Sequence, residues 1–441
     1  MAAAAAAFGA GGNLIPNPEF RTGADGKPVS WSRWSPRAGI EPQFGTAPSE
    51  AGNLLSIRAS RFEMYGKWVA VAPVEGGRYY RFEALHRARG VASEDVSVAV
   101  MLSWCRDEAG KTPVQRDYAD RVAQDGGWRK TYRTLRAPDS ARSVTVELIL
   151  RWTAGGSVEW RNPLLEEVDP PRQRLVRVAT THIQVQAPAS IESNMRTMAG
   201  ILDKAGAEKP DIICLSENFA DRGVQLPLLE RAQPIPGPIT AMLSGKAKQY
   251  RAYVAASLLE RDGGLAHVTA VLIDRGGKIV GKYRKVHLPT AEGEDGITPG
   301  TEYPVFDTDF GRIGIAICWD NWFIEPARIL RLKGAEMILF PIAGDGDARH
   351  WDIMSRARAI DNGVYVVSSN TVGGPSRIID PNGEVLAEAT GPFSVGVAEV
   401  NLDKESRLRW LSVGPYDGEG KSLYIKERRS DTYAPLVDGA R

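Results

Sequence analysis

The chain is 441 residues long, with 25% charged and 43% hydrophobic residues and a formal net charge of +1. That length admits two domains of ordinary size, and the near-neutral balance argues against a nucleic-acid or membrane-surface binder. No apolar run approaches the ~20 residues that span a bilayer, and Cys105, Cys214 and Cys318 lack the spacing of a disulfide framework or a zinc site.

Residues 1–12 are an alanine- and glycine-rich leader. Small and apolar residues fit the tail of a secretory signal, yet the basic segment that opens such signals is missing. A disordered leader and a signal-peptide remnant both remain open, and with them a cytoplasmic or an exported protein.

From Asn13 to Val168 the sequence runs in period two. Trp68–Ala72, Tyr79–Ala84, Val96–Leu102 and Val144–Leu150 are short strand-forming runs, separated by turn signals such as Glu75-Gly-Gly and Asp125-Gly-Gly. Without a long amphipathic helix among them, these runs predict an all-β antiparallel sandwich. Asn13-Leu-Ile-Pro-Asn-Pro-Glu-Phe20, Val74-Glu-Gly-Gly-Arg-Tyr-Tyr80 and Val158-Glu-Trp-Arg-Asn-Pro-Leu-Leu165 resemble motifs of carbohydrate-binding-module and galactose-binding-like jelly rolls. The resemblance implies a jelly-roll sandwich over 13–168. It makes Trp31, Trp34, Trp104, Trp152 and Trp160 candidate stacking platforms for a carbohydrate ligand, with core packing or an interface role as the alternative.

A linker follows at 169–174, marked by Asp169-Pro-Pro171, and the period then changes. Strands are expected over Leu175–Gln184 and Asp211–Ser216. Between them a helix is expected over Ser190–Ala205, capped by Ser190 and ended by Gly206. Ala266–Ile273 and Lys278–Tyr283 flank a hairpin turn at Asp274-Arg-Gly-Gly277. Helices over Phe323–Lys333 and around Trp351–Asp361 each lead into a strand, and Asp380-Pro-Asn-Gly383 turns another hairpin. This alternation predicts an α/β layered domain over 175–441.

Three chemically capable residues sit at strand ends: Glu217, Lys285 and Cys318. Singly they read as a loop acid, a wet basic run and a buried hydrophobe. For Cys318 the turn into a helix at about Phe323 predicts a thiolate favoured by free N–H groups and the helix dipole. Together, Cys-Leu-Ser-Glu217-Asn-Phe, Tyr-Arg-Lys285-Val-His-Leu-Pro and Ile-Ala-Ile-Cys318-Trp-Asp resemble the Glu-Lys-Cys triad of the nitrilase superfamily of carbon–nitrogen hydrolases. Glu325-Pro-Ala-Arg328, Gly334–Pro341, Arg356–Asn362 and Ile378–Gly383 extend the likeness from about Val176 to about Tyr433.

The resemblance implies an α-β-β-α sandwich and hydrolysis of a small-molecule amide through a cysteine thioester, with no metal or organic cofactor. Nitrile hydrolysis and N-carbamoyl-amine hydrolysis are the alternatives, and a decayed binding protein is a third. Glu217 is then the acid/base, Lys285 and the Trp319 N–H the oxyanion donors, and Glu292 the glutamate that orients the lysine, with Glu294 as its rival. Asn321 and Trp322 are candidate substrate contacts, and His287 is expected to bond structurally. The family likeness further implies a homodimer or larger, with the tail Leu402–Tyr433 packed across the pair.

Overall fold

A computed structural model describes residues 12–49, 52–185, 187–344, 347–372, 374–409 and 416–437. The leader reading, apart from Gly12, lies outside the described residues. The chain divides into two units, Met1–Arg172 with Arg407–Arg441, and Gln173–Ser406.

The first unit is built of strands. One sheet runs in the order Ser32–Trp34, Tyr65–Pro73, Ser143–Arg151, Val98–Cys105, Pro113–Tyr118, Asp417–Glu419, Arg407–Arg409. The other runs Gln43–Ser49, Gly52–Arg58, Ser157–Val168, Tyr79–Arg89, Trp128–Arg136, Arg121–Asp125. Period two is what forms them: in Tyr65–Pro73 every second residue (Gly66, Trp68, Ala70, Ala72) is buried. The two sheets share one core, in which Trp68, Trp104 and Val146 of the first meet Phe82, Trp160 and Leu165 of the second.

That core takes up three of the candidate stacking platforms, since Trp31, Trp104 and Trp160 are at most 5% exposed. Trp34 and Trp152 carry cations over their rings, Lys67 Nζ and the Arg151 guanidinium, each at 4.3 Å.

The tail departs from expectation. Sequence patterning carries the second domain to residue 441. In the structure Arg407–Arg409 pairs with Asp417–Glu419, which extends the first unit's sheet in parallel beside Pro113–Tyr118. Charge holds it there: Arg407 meets the buried Asp117, and Arg133 is shared by Asp120 and Glu419.

In the second unit, one sheet runs Ile279–Arg284, Leu265–Ile273, Tyr253–Asp262, Ile212–Cys214, Leu175–Ile183, Phe393–Asn401. The other runs Val305–Asp307, Arg312–Ile315, Met337–Pro341, Tyr365–Ser369, Ser376–Ile379, Val385–Ala389. Their inner faces meet in one core through Val178, Ile212 and Leu272 on one side and Ile313, Leu339 and Val367 on the other. Helices Ile191–Ala207 and Pro238–Tyr250 cover the first sheet with Met198, Leu202, Ile239 and Leu243. Helices Ile324–Leu332 and Ala348–Asn362 lie on the second, where Ala327, Leu330, Trp351 and Ala359 enter the core. The layers are therefore α-β-β-α, the nitrilase-type fold.

Gly206 does not end its helix as expected. It lies in the last turn, and glycine is required there because a Cβ would fall 2.2 Å from the ring of Tyr250 on the neighbouring helix. Among the described residues no helix is long and apolar enough to cross a membrane.

Candidate active site

Glu217 follows the short central strand Ile212–Cys214 and is 2% exposed. Lys285 follows the strand Ile279–Arg284, pinned by its N–H to the Val268 carbonyl at 2.8 Å. Its own carbonyl accepts from Gly300 N–H at 2.8 Å. Only glycine fits at position 300, since a Cβ there would lie 2.2 Å from the Arg284 carbonyl oxygen.

The two side chains meet out of water. Lys285 Nζ donates to Glu217 Oε1 at 2.8 Å and to both oxygens of Glu292, at 2.8 and 3.0 Å. Glu217 Oε2 accepts from the Ala343 N–H at 3.0 Å. Glu292, carried by the short helix Thr290–Glu294, reaches the lysine, whereas Glu294 is exposed. Burial alone would lower the Lys285 pKa, but the charges of Glu217 and Glu292 outweigh it and raise it, so the ammonium persists. Burial pushes the Glu292 carboxyl up, with Lys285 opposing and Glu217 adding to the rise.

Cys318 opens a 3-10 turn, Cys318–Trp322, between the strand Arg312–Ile315 and the helix Ile324–Leu332. Its φ of +43° is left-handed, a conformation that costs a non-glycine residue about 1–2 kcal/mol. The shift of the Cys318 thiol runs opposite to the expected lowering. The helix starts six residues downstream, and burial pushes the thiol well above its ordinary pKa, reinforced by the charge of Glu217. Lys285 and the Ala343 N–H offset this only in part. The Glu217 side chain lies within hydrogen-bonding reach of the Cys318 thiol.

Aromatic rings crowd the turn. Trp319 and Trp322 lie 5.1 Å apart between centroids, and Trp322 packs edge-on against Trp351 at 5.8 Å. Trp322 Nε1 is buried without a partner among the described residues. Asn321 is fully buried and turned toward the outer helix: its Nδ2 donates to Ser355 Oγ at 3.1 Å, and its backbone carbonyl accepts from Arg358 at 3.0 Å.

His287, expected to bond structurally, does so with an acid. Asp320, wholly buried, accepts from the His287 N–H at 3.0 Å and lies 2.9 Å from His287 Nδ1. Asp320 also accepts from Tyr283 Oη at 2.6 Å and from the Ile317 N–H at 2.9 Å. Its only signal in the sequence is an acid two positions after the cysteine. Asp221, the other acid passed over, is paired with Arg231 at 3.1 Å on the turn that follows Glu217.

Comparison with known proteins agrees with this fold. The profile of the carbon–nitrogen hydrolases matches residues 177–410, more than half of the chain. The chain is 30% identical over 248 residues to omega-amidase NIT2 of Bos taurus, covering 52% of this chain and 90% of that one. It is 31% identical over 300 residues to N-carbamoylputrescine amidase of Solanum lycopersicum, covering 60% and 96% respectively. A crystal structure of an amidase from Nesterenkonia sp. superposes with a TM-score of 0.50 at 20% identity, covering 60% and 98%, a likeness of fold alone. With its profile match and its α-β-β-α layers, the chain belongs to the carbon–nitrogen hydrolase family, and it is an enzyme of the amidase type.

Proposed function

We propose that the protein hydrolyses a small-molecule amide through a thioester on Cys318. The observation that carries this reading is the ammonium of Lys285, fully buried and bonded to Glu217 and Glu292 beside the thiol. Such a site holds one positive charge where negative charge develops on the substrate oxygen.

Glu217 accepts the Cys318 proton as sulfur attacks the carbonyl carbon. The carbonyl electron pair moves to oxygen, where Lys285 and the Trp319 N–H receive it. Collapse breaks the carbon–nitrogen bond, and Glu217 gives the proton to the departing nitrogen. Water, deprotonated by Glu217, then attacks the thioester. A carboxylate leaves, and the thiol recovers its proton. Glu292 holds Lys285 in line throughout. Incubating the full chain with primary amides and measuring ammonia release tests the reading: release that Cys318→Ala abolishes supports it, and silence across the panel overturns it.

N-carbamoyl-amine hydrolysis is the second reading, supported by the likeness to N-carbamoylputrescine amidase. The same panel separates it, because a carbamoyl amine also yields carbon dioxide. The nitrile reading has no support beyond the shared triad chemistry.

For the first unit the proposed reading is a jelly-roll module with a carbohydrate ligand. Its support is the motif resemblance together with a hollow of about 380 Å³ lined by Asn13, Glu83, Asp125, Lys130 and Asn162. Binding on a glycan array that Lys130→Ala removes supports it, and an empty array leaves the unit as packing. A homodimer or larger is the proposed assembly, supported by Ile324, Ile353 and Ile360, which are exposed on the outer helices of the second unit. Light scattering at the monomer mass contradicts it.

A further inference from the structure

The buried carboxylate of Asp320 has four hydrogen-bonding partners from two separate segments. Oδ1 lies 3.0 Å from the His287 backbone nitrogen and 2.9 Å from its Nδ1; Oδ2 lies 2.6 Å from Tyr283 Oη and 2.9 Å from the Ile317 backbone nitrogen. Tyr283 and His287 stand two positions before and two after Lys285, while Ile317 directly precedes Cys318. The Asp320 N–H also closes onto the Ile317 carbonyl at 2.9 Å, so both ends of this acid hold the turn that keeps Cys318 left-handed.

We propose that Asp320 is a positioning residue that locks the lysine segment and the cysteine turn into one reactive geometry. The inference rests on the hydrolase reading above and adds a residue to it. A carboxylate suits this place because it only accepts, and every group facing it donates. Asparagine has one accepting oxygen, and its NH₂ would be aimed at two donors. The acceptor role also fixes the tautomer of His287: Nδ1 carries the proton, and the ring is held flat against Phe323, with centroids 4.1 Å apart and planes 17° apart. Tyr283 is the most severable tie. It is 1% exposed, and its hydroxyl touches Asp320 and the Val286 N–H, at 3.3 Å, but none of Glu217, Lys285 and Cys318.

The test compares Asp320→Asn and Tyr283→Phe with the full wild-type chain on whichever amide the panel shows to be turned over. Steady-state constants, the single-turnover rate of Cys318 acylation and the melting temperature are read together. For Tyr283→Phe the expected result is a roughly tenfold fall in kcat and in acylation rate, the value of one lost hydrogen bond to a charged group. KM stays within twofold and the melting temperature within a few degrees. Asp320→Asn, if it folds, falls at least tenfold further. An acylation rate of Tyr283→Phe within twofold of wild type overturns the inference, and so does a loss that merely follows a lowered melting temperature or a raised KM. A wild-type chain that turns over nothing overturns the hydrolase reading instead, and the inference falls with it.

Discussion

Lys285 Nζ stands 2.8 Å from Glu217 Oε1 in a place where neither side chain is more than 3% exposed. A buried ion pair of this kind contributes little to stability on its own, because two desolvated charges cost about what their attraction returns. In the proposed mechanism its value is a fixed positive charge at the point where an oxyanion forms. Lys285→Met therefore lowers kcat by about 100- to 1000-fold, or about 2.7–4 kcal/mol of barrier. Steady-state kinetics on the active amide check this, with circular dichroism showing that the variant stays folded.

The neighbouring acids are told apart by the same lysine. Glu292 touches Nζ through both oxygens, and Glu294 is exposed. Glu292→Gln lowers kcat at least tenfold, the scale of a lost hydrogen bond to a charged group. Glu294→Gln leaves kcat within twofold.

Asp221 gives a pH signature. Burial raises its pKa from 3.8 to about 6, against the pull of Arg231. The folded state therefore holds this proton where the unfolded state has released it. The group favours folding at low pH, and that contribution is lost as pH rises through about 6. The gap corresponds to about 3 kcal/mol. Asp221→Asn lacks the titration, so its unfolding free energy relative to wild type rises by about 3 kcal/mol between pH 3.5 and pH 7. Urea unfolding at the two pH values measures it.

Arg407 lies far along the chain from Asp117, yet they form an ion pair inside the first unit. Asp117 also accepts from Trp104 Nε1 at 2.9 Å and from Gln115 Nε2 at 2.7 Å. Arg407→Ala leaves that buried charge without its cation and costs about 3 kcal/mol. The change is read as a lowered urea midpoint of the full chain.

Glu217, Lys285 and Cys318 stood out in the sequence because each ends a strand-like run and because their three short motifs together resemble one family's triad. Their motifs are local, and the layered fold that brings them together was legible only through the family resemblance. The tail was not legible. A three-residue strand such as Asp417–Glu419 has too few positions to show a period, and its partner Pro113–Tyr118 is some 300 residues away in sequence. The state of the Cys318 thiol was not legible either, because the helix dipole is a local property and burial a global one. Asp320 escaped notice for a related reason: its partners Tyr283 and His287 belong to a different strand end.

The most direct measurement is the intact mass of the protein mixed with a slowly hydrolysed amide and quenched in acid. The account predicts an adduct of one acyl group in the wild type, labile to hydroxylamine and absent from Cys318→Ala. Ammonia release at the wild-type rate from Cys318→Ala, or an acyl group mapped to any residue other than Cys318, would contradict it.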